Sequence, residues 1–349
     1  MFQLPHHFQA LRCKVIEGLW GGEQGREPMH DLIGDILEYC RRPELSLDCP
    51  NEVIVAGTCP SNYPMFMRNE VAYQVSSSGS RLRLVRICTS ASRASWCVTT
   101  FGIPDRARPW KCHYDPDADV LYLLYVADGG VMYLQKHEMA IGRTGDPLSI
   151  PQLGLCGGSL VGMIVVGYSL YVAMRFESGF SASTTSIEVF VIRLRMNTAV
   201  GLVHTIHGQK NDPSFSFIRF NAVRGAPQAV HIVFKSANAW HSVRIDMVRS
   251  GSPMVFSTRR NELIDPPSPT GALLQNTPGL NMIMFEEPDG YVLRHPRDLR
   301  KLATIDKCYT FLPKDTPIVF GRWSFSVFKK RPNGVNTWIH FYPYLPLNI

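Results

Sequence analysis

Cationic residues set beside aromatic ones are where residue type and spacing in this 349-residue chain come nearest to a chemistry. RLRLVR, residues 81–86, alternates Arg81 and Arg83 with Leu82 and Leu84, and Arg86 closes the run. A period of two puts the guanidinium groups on one face of a strand and the leucines on the other. Near the C-terminal end, FGRWSFSVFKKRPNGVNTWIHFYPY interleaves Arg322, Lys329, Lys330 and Arg331 with Trp323, Phe325, Trp338 and Tyr342. Cations neutralise phosphates and exposed rings stack on bases. The candidate nucleic-acid-binding residues are therefore Arg81, Arg83, Arg86, Arg322, Lys329, Lys330 and Arg331. The competing reading is a solvated strand face over an aromatic core, which alternation alone also produces.

Other constellations are weaker. Asp115, Asp117 and Asp119 in YDPDADV imitate the start of a calcium loop, but Val120 stands where the loop glycine belongs and Val126 where the bidentate glutamate belongs. An Asp-Pro turn leading into a strand is the simpler reading. His204 and His207 in HTIH, His6-His7 and His241 show no zinc spacing with a second ligand pair. Gly157-Gly158-Ser159-Leu160-Val161 lacks the last glycine of a nucleophile elbow. There is no P-loop and no GxGxxG. The sequence thus assigns no catalytic residue, no metal ligand and no cofactor.

Charge is distributed unevenly. The net of +7 arises from 36 basic and 29 acidic residues, and residues 290–331 carry ten basic side chains against Asp298, Asp306 and Asp315. The stretch 81–111 holds seven basic residues against Asp105 alone. Such asymmetry attracts an anionic partner. Nine cysteines show no CxxC pair, and no apolar leader precedes a cleavage site, so reduced thiols and a cytoplasmic or nuclear location are expected. A hairpin turn centred on Ser92-Arg93 would set Cys88 opposite Cys97.

The elements that must carry these residues are mostly hairpins. In DVLYLLYVADGGVMYLQKH, residues 119–137, a β-branched and aromatic run meets Asp128-Gly129, the dipeptide of a two-residue type I′ turn, and returns from Val131. Similar pairs of apolar runs centre near Val85, Val172, Ile232, Ile283 and Phe325. Their spacing of about 40 to 60 residues leaves room for about four strands per unit, which is the spacing of propeller blades. The charge-free region from Pro147 to Met174 is long enough to span a bilayer. Its glycines and β-branched bias instead predict two strands joined near Gly167-Tyr168, and no membrane span. PPSPTGALLQNTPGL, residues 266–280, reads as an exposed excursion between blades.

Two amphipathic helices are expected before the sheets, over residues 5–20 and 28–41, with Pro43 as a stop. This order of helices then propeller is similar to that of F-box adaptor proteins, whose opening Leu4-Pro5 would suit. The third helix and Trp-containing segment of that family are missing, so no residue role is carried over. The predicted fold is all-β: a β-propeller-like closed repeat of about six blades (five to seven) over residues 49–349, after a helical segment at 1–48, with a large β-sandwich as the alternative. The expected function is a non-enzymatic interaction scaffold presenting propeller loops to other proteins in a larger assembly, with a basic side facing RNA or DNA. The alternatives are a nucleic-acid-binding protein using its Arg/Lys-rich faces, and a metal-assisted hydrolase with its site in the propeller channel.

Overall fold

The computed structural model describes residues 46–47, 51–55, 64–68, 71–78, 81–86, 96–101, 110–127, 129–150, 153, 158–177, 184–194, 200–209, 218–222, 229–236, 239–249, 255–269, 271–273, 283–288, 290–305, 318–320, 325–330, 336–341 and 343–344. The two expected N-terminal helices lie outside these residues.

Strands β1 (Ser46–Leu47) and β2 (Asn51–Val55) come first. The first blade is β3 (Met65–Arg68), β4 (Val71–Ser78), β5 (Arg81–Arg86) and β6 (Trp96–Phe101), paired in that order. The second is β7 (Trp110–Asp115), β8 (Val120–Val126) and β9 (Met132–Glu138), with an outer position split between β10 (Arg143–Thr144) and β11 (Leu148–Ile150). The third is β12 (Ser159–Val166), β13 (Ser169–Glu177), β14 (Thr184–Arg193) and β15 (Val200–Gln209). The fourth is β16 (Ile218–Ala222), β17 (Ala229–Ser236), β18 (Ala239–Arg249) and β19 (Val255–Arg260). The fifth is β20 (Ala272–Leu273), β21 (Ile283–Glu287), β22 (Gly290–Arg294) and β23 (Lys301–Ile305). The last combines β24 (Ile318–Phe320), β25 (Phe325–Lys330) and β26 (Asn336–Phe341) with β2, while β27 (Pro343–Tyr344) pairs with β1.

The sheets are consecutive in sequence, and their first strands stand side by side. β7 lies against β12, β12 against β16, and β24 returns to β3. β2 supplies the outer strand of the last sheet through the register Asn51↔His340 to Val55↔Asn336, so both ends of the propeller domain close one blade. This is a β-propeller, and the sandwich alternative falls.

The cores lie between blades, and strand parity assigns each residue to one of them. Leu121, Leu123 and Tyr125 of β8 join Val75, Leu82 and Leu84 in the cluster between the first and second blades. Tyr122 and Leu124 of the same strand join Leu170, Val172 and Met174 between the second and third. Tyr171 and Ala173 face the other way, onto Val230 and Ile232 of the fourth. β13 is therefore dry on both faces, which explains the charge-free run at 147–174 without lipid. Val166 pairs with Ser169 across Gly167-Tyr168, and Gly167 takes φ of 57°, as the expected turn requires. Among the described residues no helix is long and apolar enough to cross a membrane.

Three local expectations change. Ala127 N bonds to Val131 O at 2.9 Å, and both Gly129 and Gly130 have positive φ, so this hairpin closes through a three-residue loop and not a two-residue one. The second glycine absorbs the extra residue. Cys97 pairs opposite Val85, not Cys88: the register from Leu82↔Phe101 to Leu84↔Thr99 already excludes that pair, and a bulge between Leu84 and Val85 shifts it one residue further. The stretch opening with Pro266 is not simply an exposed excursion. Trp240 Nε1 donates to Ser268 O at 3.2 Å and Lys235 Nζ to Pro269 O at 2.5 Å, and Ala272–Leu273 forms the first strand of the fifth blade. A Cβ on Gly271 would lie 2.9 Å from Ser268 O, so this tight approach needs glycine.

Leu124 is fully buried between two blades, where the rigid sheets cannot collapse onto a void. Leu124→Ala should lower unfolding stability by about 2–5 kcal/mol. Chemical denaturation checks this; a loss below about 1 kcal/mol would mean that the inter-blade core is loosely packed.

Candidate functional site

Arg81 and Arg83 occupy alternate positions of β5 and are exposed, whereas Leu82 and Leu84 between them are buried against the second blade. The alternation is real, and the guanidinium face is turned away from the core. Opposite Arg81 stands Ser78; opposite Arg83 stand Ser76 on β4 and Thr100 on β6. Neither arginine forms an ion pair among the described residues.

Arg86 is half-buried at the other end of β5, opposite Tyr73 and Trp96. Five residues of strand separate it from Arg81, about 17 Å at the usual rise, so it belongs to a different part of the surface. Lys329 and Lys330 are the last two residues of β25, in register with Thr337 and Asn336. Arg322 and Arg331 lie outside the described residues.

Topology relates the two stretches. The β4–β5 and β25–β26 connections are each the second-to-third-strand turn of their sheet, and such turns share one end of a propeller whose first strands run the same way. Since β24 lies beside β3, the two sheets are neighbours. Arg81 and Lys330 thus flank corresponding turns of adjacent blades at the seam where the ring closes.

The YDPDADV carboxylates do not converge. Asp115 Oδ1 accepts from Asp117 N at 3.0 Å and Ala118 N at 3.2 Å, closing the turn on itself. Asp119 turns away, with φ of 52°, and receives Arg68 Nε and Nη2 at 2.6 Å each and the Tyr114 hydroxyl at 2.8 Å. The bidentate guanidinium holds its carboxyl below the usual range, against the opposing effect of burial. The Asp-Pro turn reading holds: these groups build a joint between the first two blades. Among the described residues no cluster of three His, Cys, Asp or Glu could hold a metal.

His204 and His207 stand on β15, three residues apart and so on opposite faces, and His241 is in the next blade, stacked on Phe234 at 5.0 Å. They do not assemble; His6-His7 is outside the described residues. Ser159 opens β12 and is not on a nucleophile elbow. Gly158 before it is needed for space, since a Cβ would meet the Phe176 ring at 2.8 Å.

The histidines that matter structurally are others. His113 is buried, its Nδ1 has no partner, and burial pushes its pKa down to about 4, opposed by a hydrogen bond to the backbone of Val165. His137 Nδ1 meets Thr144 Oγ1 at 2.9 Å. His231 is buried between the fourth and fifth blades. Sequence reading passed over them because no motif marks them; the one available signal was strand parity, which puts His231 in an inward-facing run, AVHIVF. Cys112 is half-buried, and loss of water around its thiol pushes it up to about 12, which suppresses the nucleophilic thiolate.

No protein-family model matches the chain, and neither does any curated protein. Solved structures with a similar course include TolB from Acinetobacter baumannii, at 12% identity and a TM-score of 0.43, covering 77% of this chain and 63% of that one. A mutant of AofleA from Arthrobotrys oligospora gives 11% and 0.44, covering 86% and 85%. The Pyrococcus horikoshii acylaminoacyl peptidase gives 8% and 0.45, covering 88% and 47%. The chain spans less than two thirds of the TolB chain. Likenesses at this level carry no functional argument, and the propeller assignment stands on strand order and register.

Asp119→Asn keeps the shape and tolerates the positive φ but removes the charge. It should cost about 1–2 kcal/mol, because the pair is bidentate yet partly open to water. A double-mutant cycle with Arg68→Ala checks this; additive effects would sink the joint. His113 is neutral when folded, whereas unfolded histidine binds its proton near 6.5. Its contribution is therefore complete above that pH and is lost as pH falls toward 4. His113→Gln should flatten the stability profile between pH 6.5 and 4 as measured by urea unfolding.

Proposed function

We infer that this chain is a non-enzymatic interaction scaffold, a rigid propeller that presents its turns to protein partners in a larger assembly and lays a basic rim along a nucleic-acid backbone. The observation that carries the reading is the exposed pair Arg81 and Arg83, unpaired among the described residues, on a blade adjoining the one that ends a strand in Lys329-Lys330. Serine and threonine positions surround the pair, so its surroundings are polar and uncharged. That is a surface suited to phosphates, which guanidinium groups bind in a fork and hydroxyls assist.

Several other charged groups are consumed internally. Arg294, with a side chain only 4% exposed, gives Nε and Nη2 to Glu287 at 2.7 and 3.1 Å and Nη1 to Leu299 O at 2.7 Å. Arg244 is bound to Asp246 at 2.7–2.9 Å. Carboxylates held in this way are poorly placed for acid-base or metal chemistry, which supports the scaffold reading over the hydrolase. Arg86 is assigned no part in the rim, since it lies at the far end of its strand.

Binding of a labelled single-stranded oligonucleotide, followed by fluorescence anisotropy, tests the rim. Arg81→Glu with Arg83→Glu should weaken binding by roughly tenfold or more and reduce the slope of log affinity against log salt, because two phosphate contacts are lost. Unchanged affinity and slope would remove nucleic acid from the proposal. Purification of the tagged protein with and without nuclease tests the scaffold itself: stoichiometric partners surviving nuclease support it, and a bare monomer overturns it.

A further inference from the structure

The joint between the fourth and fifth blades contains a continuous line of hydrogen bonds that ends on a histidine. Asn261, just after β19, bonds through backbone N to Ser242 O at 2.9 Å and through Nδ2 to Ser242 Oγ at 2.9 Å and His231 Nδ1 at 3.2 Å. Ser242 Oγ donates in turn to Pro296 O at 2.7 Å. Pro296 lies in the turn joining β22 and β23, residues 295–300, so this line ties the fifth blade's turn to the fourth blade. A second tie runs beside it, from Ile264 N to Asp298 O at 3.0 Å.

The polarity of the line is fixed by inventory. The Asn261 amide has two protons, one for His231 and one for Ser242, so His231 Nδ1 must accept. With its oxygen already accepting, Ser242 sends its own proton to Pro296. His231, Ser242 and Pro296 are all buried, so water does not substitute for a lost partner.

We propose that this joint is an acid-sensitive clasp, in which proton uptake by His231 reverses the line of hydrogen bonds and undocks the 295–300 turn from the fourth blade. A protonated Nδ1 is a donor and faces another donor, the Asn261 amide. Turning the amide over repairs that contact but offers an oxygen to Ser242, whose proton is then drawn from Pro296 O. A buried carbonyl loses its donor, and the turn loses one of its polar ties.

The surroundings resist the proton at neutral pH and oppose it once it arrives. From β18, Arg244 stands opposite His231 and Asp246 follows two residues on. From the 295–300 turn, His295 and Arg297 face it, and β16 places Asn221 opposite in register. Burial first, then His295, Arg244 and Arg297, hold its pKa down at about 4, with Asp246 pulling the other way. His295 is itself lowered by burial and lies 3.6 Å from Asp298 Oδ1. The joint therefore stays closed at neutral pH and is weakened as pH falls from about 6.5 toward 4. The sheets stay folded as this happens, because the β17–β18 and β21–β22 ladders do not run through this line.

Hydrogen exchange on the full chain at pH 7 and pH 5, corrected for intrinsic rates, tests this. The amides of Ile264, His295 and Leu299 should lose protection by on the order of tenfold at pH 5, while those of β13 keep theirs. His231→Gln keeps a polar side chain that gains no proton, and should abolish the pH dependence. Ser242→Ala should expose the same amides already at pH 7. Unchanged protection at pH 5 would overturn the clasp, as would a pH response that persists in His231→Gln or that vanishes instead in His295→Gln.

Discussion

Two-sided burial of the middle strands is the constraint from which the rest of this structure follows. A strand such as β13, with Leu170, Val172 and Met174 on one face and Tyr171 and Ala173 on the other, cannot sit in a sheet with one wet side. It needs a second sheet on each flank. When every sheet has that need, the arrangement that satisfies all of them is a ring, and the ring must close on itself. Closure here is made by β2 entering the last sheet beside β26, so the chain's early residues complete its final blade.

Packing alone would leave neighbouring sheets free to slide, since apolar contact is non-directional. Polar joints supply direction. Arg68 reaches Asp119 from one blade to the next, and Ser242 reaches Pro296 O. Arg294 gathers Glu287, Asp265 and Leu299 O around the fifth blade's own turn. Each guanidinium is half-buried or buried and satisfied on several sides, as the cost of stripping water from a charge demands. Such pairing separates the arginines by role. Those inside joints are spent on geometry, whereas Arg81 and Arg83 on the exposed face of β5 form no ion pair among the described residues.

Much of this was legible in the sequence where the signal was local. Gly167-Tyr168 between apolar runs, the period of two in RLRLVR and the recurrence of hairpins are all encoded within a few residues, and the structure repeats them. The failures were those where a shift of a few residues changes the pairing. The β5–β6 register, shifted once more by a bulge between Leu84 and Val85, sets Cys97 opposite Val85 and away from Cys88, and a second glycine lengthened the loop after Ala127. Nothing in residue type announces a bulge, because it is set by how two strands twist together. The segment after Pro266 looked like free loop since its anchors, Lys235 and Trp240, are some thirty residues earlier. The same distance hid the joints: Arg68 and Asp119 are 51 positions apart.

The buried histidines show why a candidate site is harder to read than a fold. A strand position tells which way a side chain points but not what the neighbouring blade offers it. His113 and His231 both point inward; one leaves Nδ1 unpartnered while the ring bonds the backbone of Val165, the other ends a line of hydrogen bonds into the next blade. The difference lies in what stands beside each ring, Val165 of the next blade in one case and, in the other, Asn261 of its own blade, which leads on through Ser242 to Pro296 of the fifth. Residue type supplies the titrating group, strand parity buries it, and only the ring's assembly decides whether its proton is coupled to anything. In a propeller that coupling is naturally between blades, so a change of charge at one position acts on a joint and leaves the sheets themselves intact.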